Sequence, residues 1–146
     1  MSILKLTENL YISPQITPDD ITEAQAIGIQ SVICNRPNNE EAEQPLFSDI
    51  QTWLAAVGIT HSQHQPVIAP QINQSDIQQF QQLLANSPTP VLAYCRTGTR
   101  STLLWAYHQV QNGVSIDAVL GAAQQAGIDL APFAPRLQEA AQHDLA

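Results

Sequence analysis

The sequence has few basic residues, few cysteines and no long apolar run. Its 146 residues include 5 Lys or Arg against 13 Asp or Glu, which gives a formal net charge of −8. Because nucleic acids and many membrane surfaces are also anionic, we expect neither as a partner of this chain. None of its apolar runs approaches the ~20 residues that span a bilayer, so the sequence predicts no membrane helix.

The 2 cysteines and 4 histidines are scattered without the ligand spacing of a metal site. We therefore expect no metal, and the sequence indicates no other cofactor. The chain also begins without the pattern of a secretory signal peptide, and such sparse use of cysteine is typical of reducing compartments. These features predict a cytoplasmic protein.

The order of strand-like and helix-like segments predicts the fold. Short runs expected to be strands lie at residues 3–6, 10–13, 29–34, 60–63 and 91–94. Helices are expected at residues 18–28, 45–57 and 75–86, with Thr17 and Ser75 as N-caps, and over most of the chain after residue 101. This alternation predicts a single α/β domain over residues 1–146, with a mainly parallel central sheet flanked by helices.

The most informative segment is the turn after the last predicted strand. Cys95 comes directly after the apolar run Val91–Tyr94 and before a predicted helix, with Gly98 in the turn between them. Backbone N–H groups and the helix dipole converge at such a turn, so it can bind an anion and favours the thiolate form of a cysteine. Two of the five basic residues, Arg96 and Arg100, flank this sulfur. We interpret Cys95 as a nucleophile; the alternative is a buried strand-end cysteine beside two surface arginines.

A further arginine follows another predicted strand. In a parallel sheet the carboxyl ends of the strands meet at one edge, so Arg36 could reach the same crevice as Cys95. Arg36 is therefore either a ligand for the anion or a loop residue that pairs with Glu40 or Glu41. Cys34, at the end of the same strand, is either a thiol that resolves an oxidised Cys95 or a small buried hydrophobic residue.

The spacing within the loop resembles that of two classes of enzyme. Four residues separate Cys95 from Arg100, as in rhodanese-type sulfurtransferases, whereas tyrosine and dual-specificity phosphatases have five. The order of the predicted elements nevertheless resembles a dual-specificity phosphatase. Both features are combined in the phosphatase-like domains of the small beta-lactamase hydrolase-like proteins. The chain resembles this family over nearly its whole length, in residues 10–13 (LYIS), 34–37 (CNRP), 40–41 (EE), 44–45 (QP), 94–101 (YCRTGTRS) and 122–130.

The resemblance implies a cysteine phosphatase-like fold and a role for each loop residue. Cys95 and Arg100 would be catalytic, and Ser101 would donate a hydrogen bond to the Cys95 thiolate unless it is an ordinary first-turn helix residue. The anion would be bound by Arg36 and by the loop residues Arg96, Thr97, Gly98 and Thr99. In some relatives this domain is fused to a metallo-hydrolase-like persulfide dioxygenase, which implies a place in sulfur metabolism.

A phosphatase also needs an acid that protonates the leaving group. The resemblance places an aspartate in the loop before the third predicted helix, but residues 66–74 contain no carboxylate. Asp76 is better explained as a first-turn helix acid. His61 and His64 could substitute, although a strand-end histidine is more often a surface or structural residue.

Sulfur transfer needs no such acid, because a weakly basic leaving group such as sulfite departs unaided. We therefore favour a rhodanese-like sulfurtransferase, in which the Cys95 thiolate takes a sulfane sulfur from a small anionic donor and passes it, as a persulfide, to a thiol acceptor. The alternative is a tyrosine or dual-specificity-type phosphatase that acts on a phosphorylated substrate, with Cys95 as nucleophile and Arg100 as phosphate ligand. A third interpretation is a non-catalytic module that senses an anion or an oxidant.

Overall fold

The structure, a computed structural model, describes residues 2–146, in which strands and helices alternate along the chain. The strands are β1 (Leu4–Lys5), β2 (Leu10–Ser13), β3 (Ser31–Cys34), β4 (His61–His64) and β5 (Val91–Tyr94). The helices are α1 (Pro18–Ile27), α2 (Phe47–Ala56), α3 (Gln74–Ala85), α4 (Thr99–Gln111), α5 (Ile116–Gln125) and α6 (Ala134–Gln142). Short 3-10 helices lie at Ala69–Gln71 and Ala131–Phe133. Every predicted strand is confirmed, with small shifts at some ends.

The sheet is mainly parallel, as predicted. Its strand order is β1-β2-β5-β3-β4, with β1 antiparallel to β2 and the other neighbouring pairs parallel. Because β5 is inserted between β2 and β3, Tyr94 at its end is paired with both Ser13 and Cys34. The segments that follow these three strands therefore emerge side by side at one edge of the sheet.

Helices cover both faces of the sheet because its central strands are apolar on both sides. All the residues of β3 and β5 are buried. Helices α1 and α2 pack on one face through residues such as Ile21 and Leu54. Helices α3 to α6 pack on the other face through residues such as Phe80 and Leu104. Among the helices of residues 2–146, none combines the length and the apolar character needed to cross a membrane.

Capping side chains determine where two of the helices begin. Helix α1 begins after the N-cap Thr17 and ends before Gly28, whose φ of 94° is left-handed, as predicted. Helix α3 begins earlier than predicted, because its N-cap is Asn73 and not Ser75. The Asn73 side chain accepts a hydrogen bond from the Asp76 N–H, and the Asp76 carboxylate accepts one from the Asn73 N–H, both at 3.1 Å. Asp76 is therefore a first-turn helix acid, as the simpler interpretation predicted.

Truncating a core residue of α4 should destabilise the fold strongly. Leu104 is fully buried, whereas Val114 is 38% exposed and serves as a control. Leu104→Ala leaves a cavity between α4 and the sheet, so we expect the free energy of unfolding to fall by about 2–5 kcal/mol. Val114→Ala should change it by less than ~0.5 kcal/mol. Denaturant titration measures both, and equal losses would contradict the central position of α4.

Candidate active site

Cys95 lies directly after β5, where the turn into α4 directs a backbone N–H group at its sulfur. Cys95 is fully buried, and its Sγ accepts a hydrogen bond from the Gly98 N–H at 3.1 Å. Gly98 is also the N-cap of α4, so the sulfur lies near the positive end of the helix dipole. Both interactions stabilise negative charge on the sulfur, as a nucleophilic thiolate requires.

The turn requires glycine at position 98 for two reasons. Gly98 has a φ of 91°, a left-handed conformation that favours glycine. A Cβ at this position would also lie 3.1 Å from the side chains of Ile12 and Ile128. These two buried side chains therefore pack directly against the turn that presents the Gly98 N–H to Cys95.

Arg100, in the first turn of α4, is held by a carboxylate and a backbone carbonyl. Its Nη1 and Nη2 donate to the two carboxylate oxygens of Glu40 at 2.8 and 2.9 Å, and Nη1 also donates to the Val67 carbonyl at 3.1 Å. Of the N–H donors of the guanidinium, Nε–H and one Nη2–H stay outside these bonds. The pKa of Arg100 is raised first by its hydrogen bond to Glu40 and further by the neighbouring Cys95 sulfur, although burial lowers it. Arg100 is therefore oriented beside Cys95 with donors left for an anion.

Glu40 accepts hydrogen bonds from two arginines. Besides Arg100, Arg36 donates from Nε to Glu40 Oε1 at 2.9 Å. The pKa of Glu40 is lowered to about 2, chiefly by the hydrogen bond from Arg100 and also by Arg36, even though burial raises it. Glu40 is therefore ionised at neutral pH and fixes the orientation of Arg100. The sequence indicated Glu40 only as a partner of Arg36, because 60 positions separate it from Arg100 and no local pattern links the two.

Arg36 is buried and forms ion pairs with two acidic side chains. Its side chain is 3% exposed. Besides its bond to Glu40, it donates to Gln15 Oε1 at 2.9 Å and to Glu41 Oε1 at 2.6 Å. Of the two interpretations drawn from the sequence, pairing with Glu40 and Glu41 is the one that the structure shows. Direct binding of an anion by Arg36 stays a prediction.

Ser101 has a different hydrogen-bond partner from the one expected. Its buried hydroxyl donates to Asn35 Oδ1 at 2.7 Å, so the structure does not show the expected bond to the Cys95 sulfur. Asn35 in turn donates from Nδ2 to the Gln65 carbonyl at 3.0 Å. Ser101 therefore ties the start of α4 to the segments that follow β3 and β4, which holds the edge of the site together.

The remaining loop residues line the opening of the site. The Arg96 side chain is 62% exposed, with Nε 3.1 Å from Glu41 Oε1. Thr97 donates from Oγ1 to Thr99 Oγ1 at 3.1 Å. Together with Arg100, these residues border an open cleft of about 450 Å³. Binding of an anion by Arg96, Thr97 and Thr99 stays a prediction.

The two histidines considered as substitute acids have structural or surface positions. His64 bonds through Nε2 to the Arg36 carbonyl at 2.8 Å, and its ring stacks on Phe47 with the ring centroids 4.8 Å apart. His61 is exposed and pairs with Ser31, at the opposite end of the sheet from the loop. Neither arrangement favours a role as a proton donor.

Cys34 is a buried thiol that donates to the Arg36 carbonyl at 3.4 Å. Burial raises the pKa of this thiol, although hydrogen bonds with Tyr94 and the Arg36 backbone lower it. A thiol held in its neutral form reacts poorly, so the structure favours Cys34 as a small buried residue. Within residues 2–146, no three His, Cys, Asp or Glu side chains are grouped so that they could hold a metal ion.

The sequence matches a family model described as beta-lactamase hydrolase-like protein, phosphatase-like domain, over residues 2–112. This match covers most of the chain and confirms the family expected from the sequence. The beta-lactamase hydrolase-like protein of Xylella fastidiosa (strain Temecula1 / ATCC 700964) is 34% identical over 131 residues. The alignment covers 89% of the present chain but 30% of that relative, so the chain spans less than a third of the relative's length.

Two solved structures share the fold. A candidate phosphatase of Neisseria meningitidis Z2491 is 47% identical, with a TM-score of 0.94 over 96% of this chain and 99% of that one. Pseudomonas aeruginosa TpbA, in complex with phosphotyrosine, is 17% identical, with a TM-score of 0.68 over 97% of this chain and 88% of that one, a likeness that shows the fold alone. The comparisons confirm a cysteine phosphatase-like fold. They favour the phosphatase alternative and lend no support to the sulfurtransferase interpretation.

Adding a methyl group at Gly98 should be more harmful than adding one at Gly28. Both glycines have a left-handed φ, but a Cβ at Gly28 would meet nothing within 4 Å. Gly28→Ala should therefore lower the free energy of unfolding by the conformational strain alone, about 1–2 kcal/mol. Gly98→Ala should lower it further, because Ile12 and Ile128 must also move. Denaturant titration of both variants measures the difference, and equal losses would show that the turn is not tightly packed.

The ion pairs of Glu40 should contribute stability that depends on pH. The pKa of Glu40 is about 2 in the fold against an ordinary value of 4.5, so its contribution is present above pH 4.5 and is lost as the pH falls towards 2. The stability advantage of the wild type over Glu40→Gln should shrink across this interval. Glu43→Gln removes a neighbouring exposed carboxylate as the control. A constant difference between wild type and Glu40→Gln over the interval would contradict the pairing.

Proposed function

We propose a phosphatase function for this chain, which belongs to the family of the beta-lactamase hydrolase-like protein, phosphatase-like domain. The Cys95 thiolate attacks the phosphorus atom of a phosphate monoester, the bond from phosphorus to the ester oxygen breaks, and the phosphoryl group is transferred to the sulfur. Water then attacks the phosphorus and the phosphorus–sulfur bond breaks. Inorganic phosphate leaves, and the thiolate is regenerated.

One observation carries this proposal: the Gly98 N–H donates to the Cys95 sulfur at 3.1 Å, at the start of the helix whose first turn carries Arg100. The charge on this sulfur also raises the pKa of Arg100. These groups stabilise the thiolate before the attack and the charge on the phosphoryl oxygens during it. Glu40 occupies the edge of the guanidinium formed by Nη1 and Nη2. The edge that carries Nε–H and the second Nη2–H is suited to two oxygens of a phosphoryl group, since arginine binds such groups as a planar fork.

The relatives support the same chemistry. The Neisseria meningitidis protein that is described as a candidate phosphatase is 47% identical to this chain. TpbA, which shares the fold, is complexed with phosphotyrosine. We therefore propose aryl phosphate monoesters, of which phosphotyrosine is one, as the substrate class.

The four-residue spacing between Cys95 and Arg100 favours sulfur transfer as a second candidate function. In that reaction the Cys95 thiolate attacks the outer sulfur of thiosulfate, the sulfur–sulfur bond breaks, and sulfite leaves. A thiol acceptor then takes the added sulfur from the persulfide. A loop with four intervening residues encloses less space than one with five, which suits a single sulfur atom better than a tetrahedral phosphate.

Replacing Cys95 should abolish the hydrolysis of an aryl phosphate. Cys95→Ser removes the nucleophile, whereas Arg100→Lys keeps the charge and removes the planar fork. We expect no turnover in the first variant and roughly 100-fold lower kcat/KM in the second. Cys34→Ser removes the other thiol and is the matched control, which should remain active. Release of inorganic phosphate measures all three.

Intact mass after incubation with thiosulfate separates the candidate functions. A gain of one sulfur atom in the wild type but not in Cys95→Ser, removed by a thiol, together with no hydrolysis of aryl phosphates, would establish sulfur transfer and refute the phosphatase proposal. If the folded protein gives neither product, the sensing module is the remaining interpretation. Full activity in Arg100→Lys would show that the fork geometry of Arg100 is not used.

A further inference from the structure

The proposed phosphatase reaction requires a proton donor for the leaving oxygen, and the loop before α3 contains no carboxylate. This loop instead contributes the Val67 carbonyl, which accepts a hydrogen bond from Arg100. The donor must therefore come from another segment that borders the loop of Cys95.

The carboxylates closest to the arginines are already engaged. Glu40 accepts two bonds from Arg100 and, with a pKa of about 2, is ionised at neutral pH. Glu41 lies 2.6 Å from Arg36 and 3.1 Å from Arg96. These pairings keep both side chains as acceptors, so neither is suited to deliver a proton.

Asp129 borders the same cleft as the loop. The cleft of about 450 Å³ is lined by Thr97, Thr99 and Arg100 on one side and by Asp129 and Phe133 on another. Asp129 is the one carboxylate among the residues that line it. The sequence contained no pattern that set this aspartate apart, since it lies 29 positions after Arg100.

The neighbours of Asp129 hold it against the loop. Ile128 packs on Gly98, with its Cδ1 3.1 Å from the position of a Cβ there, and Leu130 is 1% exposed. Both flanking side chains are buried, whereas Asp129 between them is exposed and lines the cleft. Asp129 Oδ1 accepts a hydrogen bond from the Ala131 N–H at 3.0 Å, and within residues 2–146 Oδ2 has no hydrogen-bond partner. One oxygen thus fixes the carboxyl group and leaves the other for a substrate.

We propose that Asp129 is the general acid of the reaction, supplied by the segment after α5 and not by the loop before α3. This inference rests on the proposed phosphatase function. As the bond from phosphorus to the ester oxygen breaks, the protonated carboxyl of Asp129 gives its proton to that oxygen, and the product leaves as an alcohol or phenol. The Asp129 carboxylate then accepts a proton from the water that hydrolyses the phosphorylated Cys95, which restores the acid.

Substrates that differ only in the basicity of the leaving group test this role. The leaving group of phenyl phosphate is a phenolate about as basic as that of tyrosine, whose phenol has a pKa of ~10. This leaving group needs a proton to depart. Dinitrophenyl phosphate releases a much more acidic phenol and needs it far less. Asp129→Asn keeps an oxygen that can accept the Ala131 N–H bond but cannot donate an acidic proton. We expect kcat/KM for phenyl phosphate, which reports transfer of the phosphoryl group to Cys95, to fall roughly 100-fold or more. The kcat/KM for dinitrophenyl phosphate should change little.

A series of aryl phosphates gives a second measurement. In Asp129→Asn, kcat/KM should depend more steeply on the basicity of the released phenolate than in the wild type, because the leaving oxygen departs without a proton. Asp117→Asn, an exposed first-turn acid of α5, is the matched control and should keep wild-type kinetics. Thermal unfolding of both variants checks that the fold is unchanged.

The outcomes separate this inference from the proposed function. Equal losses of kcat/KM on the two substrates, or no loss, in an active Asp129→Asn variant would overturn the role of Asp129 and leave the phosphatase function in place. Absence of Cys95-dependent hydrolysis of either substrate by the wild type would overturn both. A loss of kcat/KM confined to phenyl phosphate, together with the steeper dependence on the leaving group, would establish Asp129 as the proton donor.

Discussion

The hydrogen bond from the Gly98 N–H to the Cys95 sulfur is the interaction on which the site depends. It forms because β5 ends at Tyr94, directly before Cys95, and the chain then turns into α4 through a residue with a left-handed φ. Ile12 from β2 and Ile128 from the segment after α5 pack against that residue. The central sheet and the C-terminal helices therefore meet at the turn that presents the sulfur.

Two glutamates compensate the charge of the three arginines near this turn. Glu40 and Glu41 accept hydrogen bonds or ion pairs from Arg36, Arg96 and Arg100, which are 3 of the 5 basic residues of the chain. Burial of a guanidinium is costly unless its donors are paired, and Arg36 is almost fully buried. Pairing lowers the long-range attraction of the site for anions but fixes the orientation of the guanidinium groups. Under the proposed function, recognition of an anionic substrate would depend on the geometry of a few donors more than on the field of an acidic protein.

Two segments that are distant in sequence pack beside the loop of Cys95, and the proposed proton donor lies on one of them. The loop before α3 contacts the site through the Val67 carbonyl, which accepts a hydrogen bond from Arg100. The segment after α5 reaches it from another side, anchored by Ile128 and Leu130. A carboxylate on either segment could face the leaving group of a substrate, because both border the loop of Cys95. Under the proposed phosphatase function, the acid is supplied by the segment that packs beside the loop and carries an unpaired carboxylate oxygen there.

The alternation of strands and helices and the turn after Val91–Tyr94 could be predicted from the amino-acid sequence. These features depend on residues that are only a few positions apart, such as an apolar run, a glycine or an N-cap. The sequence did not determine the partners of Arg100 and Ser101, because Glu40 lies 60 positions from the first and Asn35 lies 66 positions from the second. These pairs form because β5 is inserted beside β3 and brings the carboxyl ends of the two strands together. Strand order is a property of the whole sheet, so the charges and hydroxyl groups around the sulfur follow from the fold and not from any local pattern in the sequence.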